Sequence, residues 1–181
     1  SLLELPYDVD NYYSNNYLLD ENRDGEYKLY LGENVLGMSP NIKKLIRNYD
    51  WDLSKYPSKG KKLKEIITKK YFVENDNICI TKGITNTLIL IISNFVKKFH
   101  EILITNPSWF RFIEICDSKN LTKIKSECNI INNNIKINFN DLLMKITPLT
   151  RLIYLVYPFD IKNFESFLEQ LPFNIIVIID L

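Results

Sequence analysis

Charge of one sign is what this sequence lacks most plainly: 23 Lys and Arg stand against 22 Asp and Glu, a formal net charge of +1. A chain so balanced projects no field that would draw nucleic acid or an anionic membrane to it, and neither is expected as a partner. Long apolar runs are missing too; none approaches the ~20 residues that a membrane-crossing helix needs. The three cysteines, Cys79, Cys116 and Cys128, are odd in number and far apart. They offer neither a disulfide framework nor a zinc-ligand spacing. The single histidine, His100, has no partner by sequence for metal binding or proton transfer and reads as a surface or helix-end residue. Glycine is scarce, with five residues, and they form neither a Gly-x-Gly-x-x-Gly nor a Walker-type loop. Acidic residues near the N-terminus, where a signal peptide would be basic, complete the expectation of a reduced, cytoplasmic protein.

What is present is a globular composition. With 46% hydrophobic and 13% aromatic residues in 181, the chain can bury one sizeable core. Apolar, β-branched runs predict strands over 78–81, 101–105, 122–127, 151–157 and 174–180. Helical patterns fall between them, over 84–98, 109–118, 141–145 and 163–171, with Asp141 and Asn163 as starts. Strand and helix alternating over a hundred residues predict an α/β fold, a mostly parallel sheet with helices on both faces. Ligands of such sheets bind beyond the carboxyl ends of the strands. Ahead of residue 78 come a Tyr- and Asn-rich arm over 7–27, a helix begun by Ser39-Pro40 and running to Arg47, and a second helix over 58–71. Cys79 is expected in a strand and in the core. The pairs Lys43-Lys44, Lys61-Lys62, Lys69-Lys70 and Lys97-Lys98 are expected on solvated helix faces. Asn132-Asn133-Asn134 reads as a low-complexity loop without functional content.

Chemistry-bearing residues gather at the predicted strand ends. The run Ile78-Cys79-Ile80-Thr81-Lys82-Gly83-Ile84-Thr85 breaks at Gly83 and enters a helix, so the first free N–H groups of that helix, with the Thr85 hydroxyl, form an anion cradle, or else simply a turn. After the strand over 101–105, Asn106-Pro107-Ser108-Trp109 presents either an aromatic plate for a planar ligand or a core aromatic. Two carboxylates, Asp160 and Asp180, follow apolar runs, where each must be a helix cap or a functional anion. An anion cradle, an aromatic plate and a carboxylate on one sheet edge suit a flat, phosphorylated, nitrogen-containing ring.

At these residues the chain resembles the class I/II aminotransferases of fold-type I, which depend on pyridoxal 5'-phosphate (PLP), and most closely their histidinol-phosphate aminotransferase branch. Leu31-Gly32-Glu33-Asn34-Val35-Leu36-Gly37-Met38-Ser39-Pro40 is similar to the branch's Leu-Asn-Glu-Asn-Pro-x-Gly-x-Ser-Pro opening. Leu53-Ser54-Lys55-Tyr56-Pro57 is similar to its Arg-Tyr-Pro segment, Gly83-Ile84-Thr85 to its phosphate loop, Asn106-Pro107-Ser108-Trp109 to its Pro-Thr/Ser-aromatic turn, and Val177-Ile178-Ile179-Asp180 to the strand that ends in Asp. The resemblance implies an arm and first helix over 1–50 and an incomplete PLP-binding large domain over 51–181.

It also implies roles. Asp180 pairs with the protonated ring nitrogen; Trp109 stacks on the ring; Gly83, Ile84 and Thr85 hold the phosphate. Tyr56 reaches the phosphate of a neighbouring subunit in a homodimer, and Asn34 and Gly37 lie near the substrate carboxylate. Where the family has Asn-Pro-x-Asn-Pro-Thr-Gly this chain has Tyr157-Pro158-Phe159-Asp160-Ile161, and Asp160 takes the position of the Asn that reaches the ring hydroxyl oxygen. The family's cofactor-bearing lysine lies beyond the Asp180 position, so the chain as it stands is expected to hold PLP noncovalently and not to complete a transamination. The implied reaction moves an amino group from a donor, by default histidinol phosphate, to a 2-oxo acid. Three alternatives are a relative that decarboxylates a phosphorylated threonine, a noncatalytic binding or dimerisation module with a degenerate PLP pocket, and, more distantly, an unrelated nucleotide-binding α/β protein.

Overall fold

Each of the apolar runs after residue 100 forms a strand. In the computed structural model, residues 34, 36–50, 52, 54–56, 60–132 and 134–181 are described. The expected arm over 7–27, Leu31, Gly32, Glu33, Val35, Leu53, Pro57, the helix start at Ser58 and Asn133 lie outside them. The chain divides into two compact units, with the boundary between Val73 and Glu74.

In the first unit, helix α1 (Pro40–Asn48) opens with Pro40 in its first turn, where the missing N–H removes no helical bond, and ends with Arg47 by its free carbonyls. Helix α2 (Lys61–Tyr71) lies between two left-handed residues, Gly60 and Phe72, and carries Lys69 and Lys70 in its last turn. The lysine pairs of both helices are exposed, as expected.

The second unit holds the sheet. A 3-10 turn (Asn75–Asn77) leads to α3 (Ile84–Phe95), β1 (Glu101–Asn106), α4 (Phe110–Ser118), β2 (Thr122–Glu127), the short strands β3 (Asn129–Ile131) and β4 (Asn134–Lys136), α5 (Phe139–Met144), β5 (Thr150–Val156), α6 (Ile161–Glu169) and β6 (Ile176–Asp180). The main sheet runs in the order β2-β1-β5-β6, and every pairing in it is parallel.

Strand alternation sends successive side chains to opposite faces. Ile102, Ile104, Leu152 and Tyr154 meet Leu88, Ile89 and Ile92 of α3 and Phe112, Ile115 and Cys116 of α4 on one face. Leu103, Ile153 and Leu155 meet Leu142 of α5 and Phe164 and Phe167 of α6 on the other. Both central strands are therefore buried on both sides, as their unbroken apolar runs imply.

Several expectations are corrected. Residues 78–81 belong to no strand: the backbone at Ile78 is extended (φ −116°, ψ 125°), but no ladder partner stands beside it among the described residues. A β-branched run makes the backbone extended; only a neighbouring strand makes it a sheet. Cys79 on this segment is consequently exposed, and Cys116 is the buried thiol. Helix α3 stops at Phe95, so Lys97 and Lys98 lie beyond it, although both are exposed. His100 sits at that exit, where its Nδ1 accepts a hydrogen bond from the Lys97 N–H at 3.0 Å.

Asn132 stands in the turn of the antiparallel hairpin β3–β4, with φ +50°, where Ile131 pairs with Asn134. Asn tolerates that left-handed conformation better than other side-chain-bearing residues. The starts expected at Asp141 and Asn163 each fall two residues after the first helical residue, Phe139 or Ile161, and three after the cap. Asn138 caps α5 by accepting from the Asp141 N–H at 3.1 Å, and Asp160 caps α6 by accepting from the Asn163 N–H at 2.9 Å.

Burial pushes the Cys116 thiol up to about 12 and also raises that of Cys128. Alkylation of the native protein by iodoacetamide in mildly alkaline buffer is therefore expected to modify Cys79 first and Cys116 only after denaturant is added. Peptide mass mapping of timed samples checks this, and early labelling of Cys116 would contradict the packing.

Candidate active site

Parallel strands place the site by their order. From β1 the chain moves outward to β2 on one side and then returns to β5 and β6 on the other, so its direction reverses between β1 and β5. The carboxyl ends of those two strands diverge at that point and leave a crevice. A cleft of about 560 Å³ lies there, walled by Ser108 and Trp109 after β1, by Val156 and Tyr157 at the end of β5, and by Cys128 and Ile135 from the β2–hairpin segment. Both exits pass through cis prolines, at Asn106–Pro107 and Tyr157–Pro158. Ser108 Oγ is buried and has no hydrogen-bond partner among the described residues. A hydroxyl of this kind is costly to leave unpaired and marks where a polar ligand atom would be accommodated.

Trp109 stands between the core and the cleft. It packs partly against the α3/α4 core and partly forms the cleft wall, with Phe110 edge-on at 6.4 Å. Its carbonyl accepts from Phe112 N–H at 3.1 Å, which starts α4 directly behind the ring.

Asp180 closes β6. The register pairs Val156 with Asp180 and Tyr154 with Ile178, so the Asp180 side chain belongs to the α3/α4 face. The Tyr157 N–H donates to the Asp180 carbonyl at 2.9 Å, extending the ladder to the end of the strand. On the side chain, the Tyr154 hydroxyl donates to Asp180 Oδ2 at 2.5 Å. Burial, with the Asp180 hydrogen bond and charge adding to it, pushes the Tyr154 phenol far above its ordinary range, so it stays a neutral donor.

Gly83 caps α3 with φ 84° and ψ 173°, a conformation essentially reserved to glycine. Nothing lies within 4 Å of where its Cβ would be, so the space above this backbone is open. Thr87 secures the turn: its N–H and hydroxyl donate to the Gly83 carbonyl at 3.1 and 3.0 Å, and its Oγ1 meets Thr81 Oγ1 at 2.5 Å. The N–H groups of Ile84, Thr85 and Asn86 precede any intrahelical acceptor and point out of the helix start. At the other end of α3, Arg151 at the beginning of β5 donates to the Phe95 carbonyl at 3.3 Å. The helix therefore runs antiparallel to the strands, and Gly83 faces the carboxyl edge on the same side of the sheet as Asp180.

Of the other residues singled out in the sequence, Asp160 lies in a neighbouring cleft with Phe159 and Asn163, its carboxylate engaged in capping α6. In the first unit Asn34 holds its own turn: its Nδ2 donates to the Gly37 carbonyl at 2.9 Å, its Oδ1 accepts from Leu36 N–H at 3.1 Å, and Gly37 has φ +70°. Tyr56 is fully exposed. The sequence motifs include Ser108 and Tyr157 without giving either a role, and Tyr154 is passed over altogether. The hydroxyl of Tyr154 in an otherwise apolar strand was the available signal, since a buried phenol needs an acceptor. Among the described residues no cluster of His, Cys, Asp and Glu could hold a metal ion, and no helix is long and apolar enough to cross a membrane.

A parallel sheet with its helices, a cleft at the switch point, a glycine-started helix and a strand-end aspartate define the large-domain fold of the fold-type I transferases. The sequence profile described as aminotransferase class I and II matches residues 28–160, and the chain belongs to that family. Among relatives, it is 26% identical over 132 residues to a histidinol-phosphate aminotransferase of Pelagibacter ubique, covering 72% of this chain and 36% of that protein. It is also 26% identical over 161 residues to histidinol-phosphate aminotransferase 2 of Pasteurella multocida, covering 84% and 43%. The structure of histidinol-phosphate aminotransferase from Sinorhizobium meliloti in complex with pyridoxal-5'-phosphate superposes with a TM-score of 0.71 at 18% identity, over 81% of this chain and 41% of that one. The chain thus spans less than half the length of these relatives.

Replacing Asp160 with Ala removes one helix cap and is expected to lower unfolding stability by about 1 kcal/mol. Denaturant melts compared with the parent protein check this, and an unchanged midpoint would remove the capping role.

Proposed function

We propose that this chain forms the arm and most of the large domain of a PLP-dependent aminotransferase, with histidinol phosphate as the default amino donor and a 2-oxo acid as the acceptor. The observation that carries this reading is the Asp180 carboxylate, held by Tyr154 at the carboxyl edge of the sheet, on the face from which the open start of α3 projects. Two charge-handling devices of opposite sense, a carboxylate for a protonated ring nitrogen and backbone N–H groups for a phosphate, fit the two ends of PLP. The relatives named histidinol-phosphate aminotransferase support the choice of donor.

When bound, PLP supplies an electron sink for negative charge developing at the substrate α-carbon. The chain's residues keep it effective. Asp180 holds a proton on the ring nitrogen, Trp109 covers a ring face and excludes water, and Gly83, Ile84 and Thr85 receive the phosphate. By the family resemblance, Tyr56 is assigned to the phosphate of a second copy, and Asn34 and Gly37 to the substrate carboxylate. Asp160, by contrast, keeps its capping role in this reading, and Tyr157 follows β5 at the cleft wall.

Absorbance titration of the full-length gene product with PLP, followed by borohydride reduction and intact-mass analysis, tests the assignment. Saturable binding with a reducible adduct is expected, and Asp180→Ala is expected to weaken binding by at least ~10-fold, the scale of a charge-assisted hydrogen bond. Gly83→Ala forces a side chain into a left-handed backbone, at a cost of order 1–3 kcal/mol. It is expected to weaken the PLP complex together with the fold. No saturable spectral change in the full-length protein would overturn the reading and leave a binding or structural role.

A further inference from the structure

Tyr154 is fully buried, and its ring lies nearly parallel to that of Phe112, with centroids 3.8 Å apart and an interplanar angle of 16°. Packing alone would be served by phenylalanine. The hydroxyl adds a polar group that must find an acceptor inside the protein, and what it finds is a carboxylate from the next strand, 26 residues away. The two partners are not equally dependent on each other. Asp180 is only partly buried at a strand end and could be solvated there, whereas the phenol would be satisfied by any carbonyl. A charge-assisted bond formed by a side chain clamped between α4 and the sheet does more for the carboxylate than for the phenol, because it removes the rotational freedom of a group at the last position of a strand.

We propose that Tyr154 is a positioning residue for Asp180: the stacked phenol fixes Oδ2 of the carboxylate and leaves Oδ1 directed to a cationic ring nitrogen bound at the carboxyl edge. This rests on the PLP reading above. Among the described residues Oδ1 has no hydrogen-bond partner, so one oxygen is committed and the other is open. The donor does not ionise at working pH, because burial holds the phenol neutral. Phe112 enters the arrangement indirectly: its ring sets the plane of Tyr154 and so the direction of the hydroxyl.

The test is a double-mutant cycle in the full-length gene product, with Tyr154→Phe, Asp180→Ala and the double variant, and the dissociation constant of PLP as the readout. Tyr154→Phe keeps the stack and removes one oxygen. It is expected to weaken PLP binding about 10-fold, the range of a hydrogen bond to a charged group, while the double variant binds within about twofold of Asp180→Ala. A purely structural role would make the two effects multiply, and that result, or unaltered binding by Tyr154→Phe, overturns the proposal. If Tyr154→Phe does not fold, proton NMR of the tyrosine-labelled parent decides. The buried hydroxyl resonance is expected to shift on saturation with PLP, and an unmoved resonance overturns the inference. Absence of saturable binding by the parent removes both readings, whereas binding by the parent with unaltered binding by Tyr154→Phe removes this one alone.

Discussion

Parallel pairing of β1 with β5 is the constraint on which the rest of the second unit depends. These strands are adjacent in space but separated in sequence by α4, β2, the hairpin and α5, and each is buried on both faces. A strand buried on both sides must have helices above and below it, which commits α3 and α4 to one layer and α5 and α6 to the other. Because the chain leaves β1 in one direction and comes back on the other side of it, the two strand ends cannot be closed over by one connection. The cleft between Trp109 and Tyr157 is the geometric remainder of that reversal.

The same arrangement explains why polar chemistry is tolerated at this edge. Within the layers, polar atoms are costly and nearly all are paired. Lys145, for instance, reaches Asp141 Oδ2 at 2.9 Å and Ser126 donates to the same oxygen at 2.7 Å, and the two, Lys145 foremost, hold the Asp141 carboxyl below its usual range. At the carboxyl edge the strands end, and the helix starts and aspartate side chains there have water or ligand as possible partners. Asp180 sits at this boundary, far enough out to meet a ligand and close enough in to be gripped by a core phenol. Gly83 meets the same boundary from the helix side, its left-handed backbone turning the free N–H groups of α3 towards open space.

Much of this was legible in the residues themselves, and the misses share a cause. The unbroken apolar runs of β1 and β5 announced buried parallel strands, that of β6 a parallel strand that is only partly buried, and Gly83 announced a helix start. Residues 78–81 have the same composition, yet lie outside the sheet, because a strand is defined by its partner and no local pattern supplies one. The starts of α5 and α6 were placed at Asp141 and Asn163, the residues whose N–H groups receive a cap, instead of at Asn138 and Asp160, which provide it. An Asn or Asp fits either position by type; only the backbone conformation separates them. Asn132 reads with its neighbours as a low-complexity loop, although its turn joins two paired short strands, the second of which helps wall the cleft through Asn134 and Ile135.

The amino-acid sequence by itself determined the class of each main element, the layered parallel architecture and the family, because periodicity, β-branching and glycine placement act over a few residues and survive without tertiary context. The tertiary structure alone decided which groups meet. Tyr154 and Asp180 are 26 residues apart, and their contact follows from the register that sets Val156 opposite Asp180 and from the stacking of Tyr154 on Phe112. A shift of that register by one residue would turn Asp180 to the other face of the sheet, away from both the phenol and the start of α3. Register is set by the summed packing of two layers, a long-range quantity that no short stretch of sequence contains.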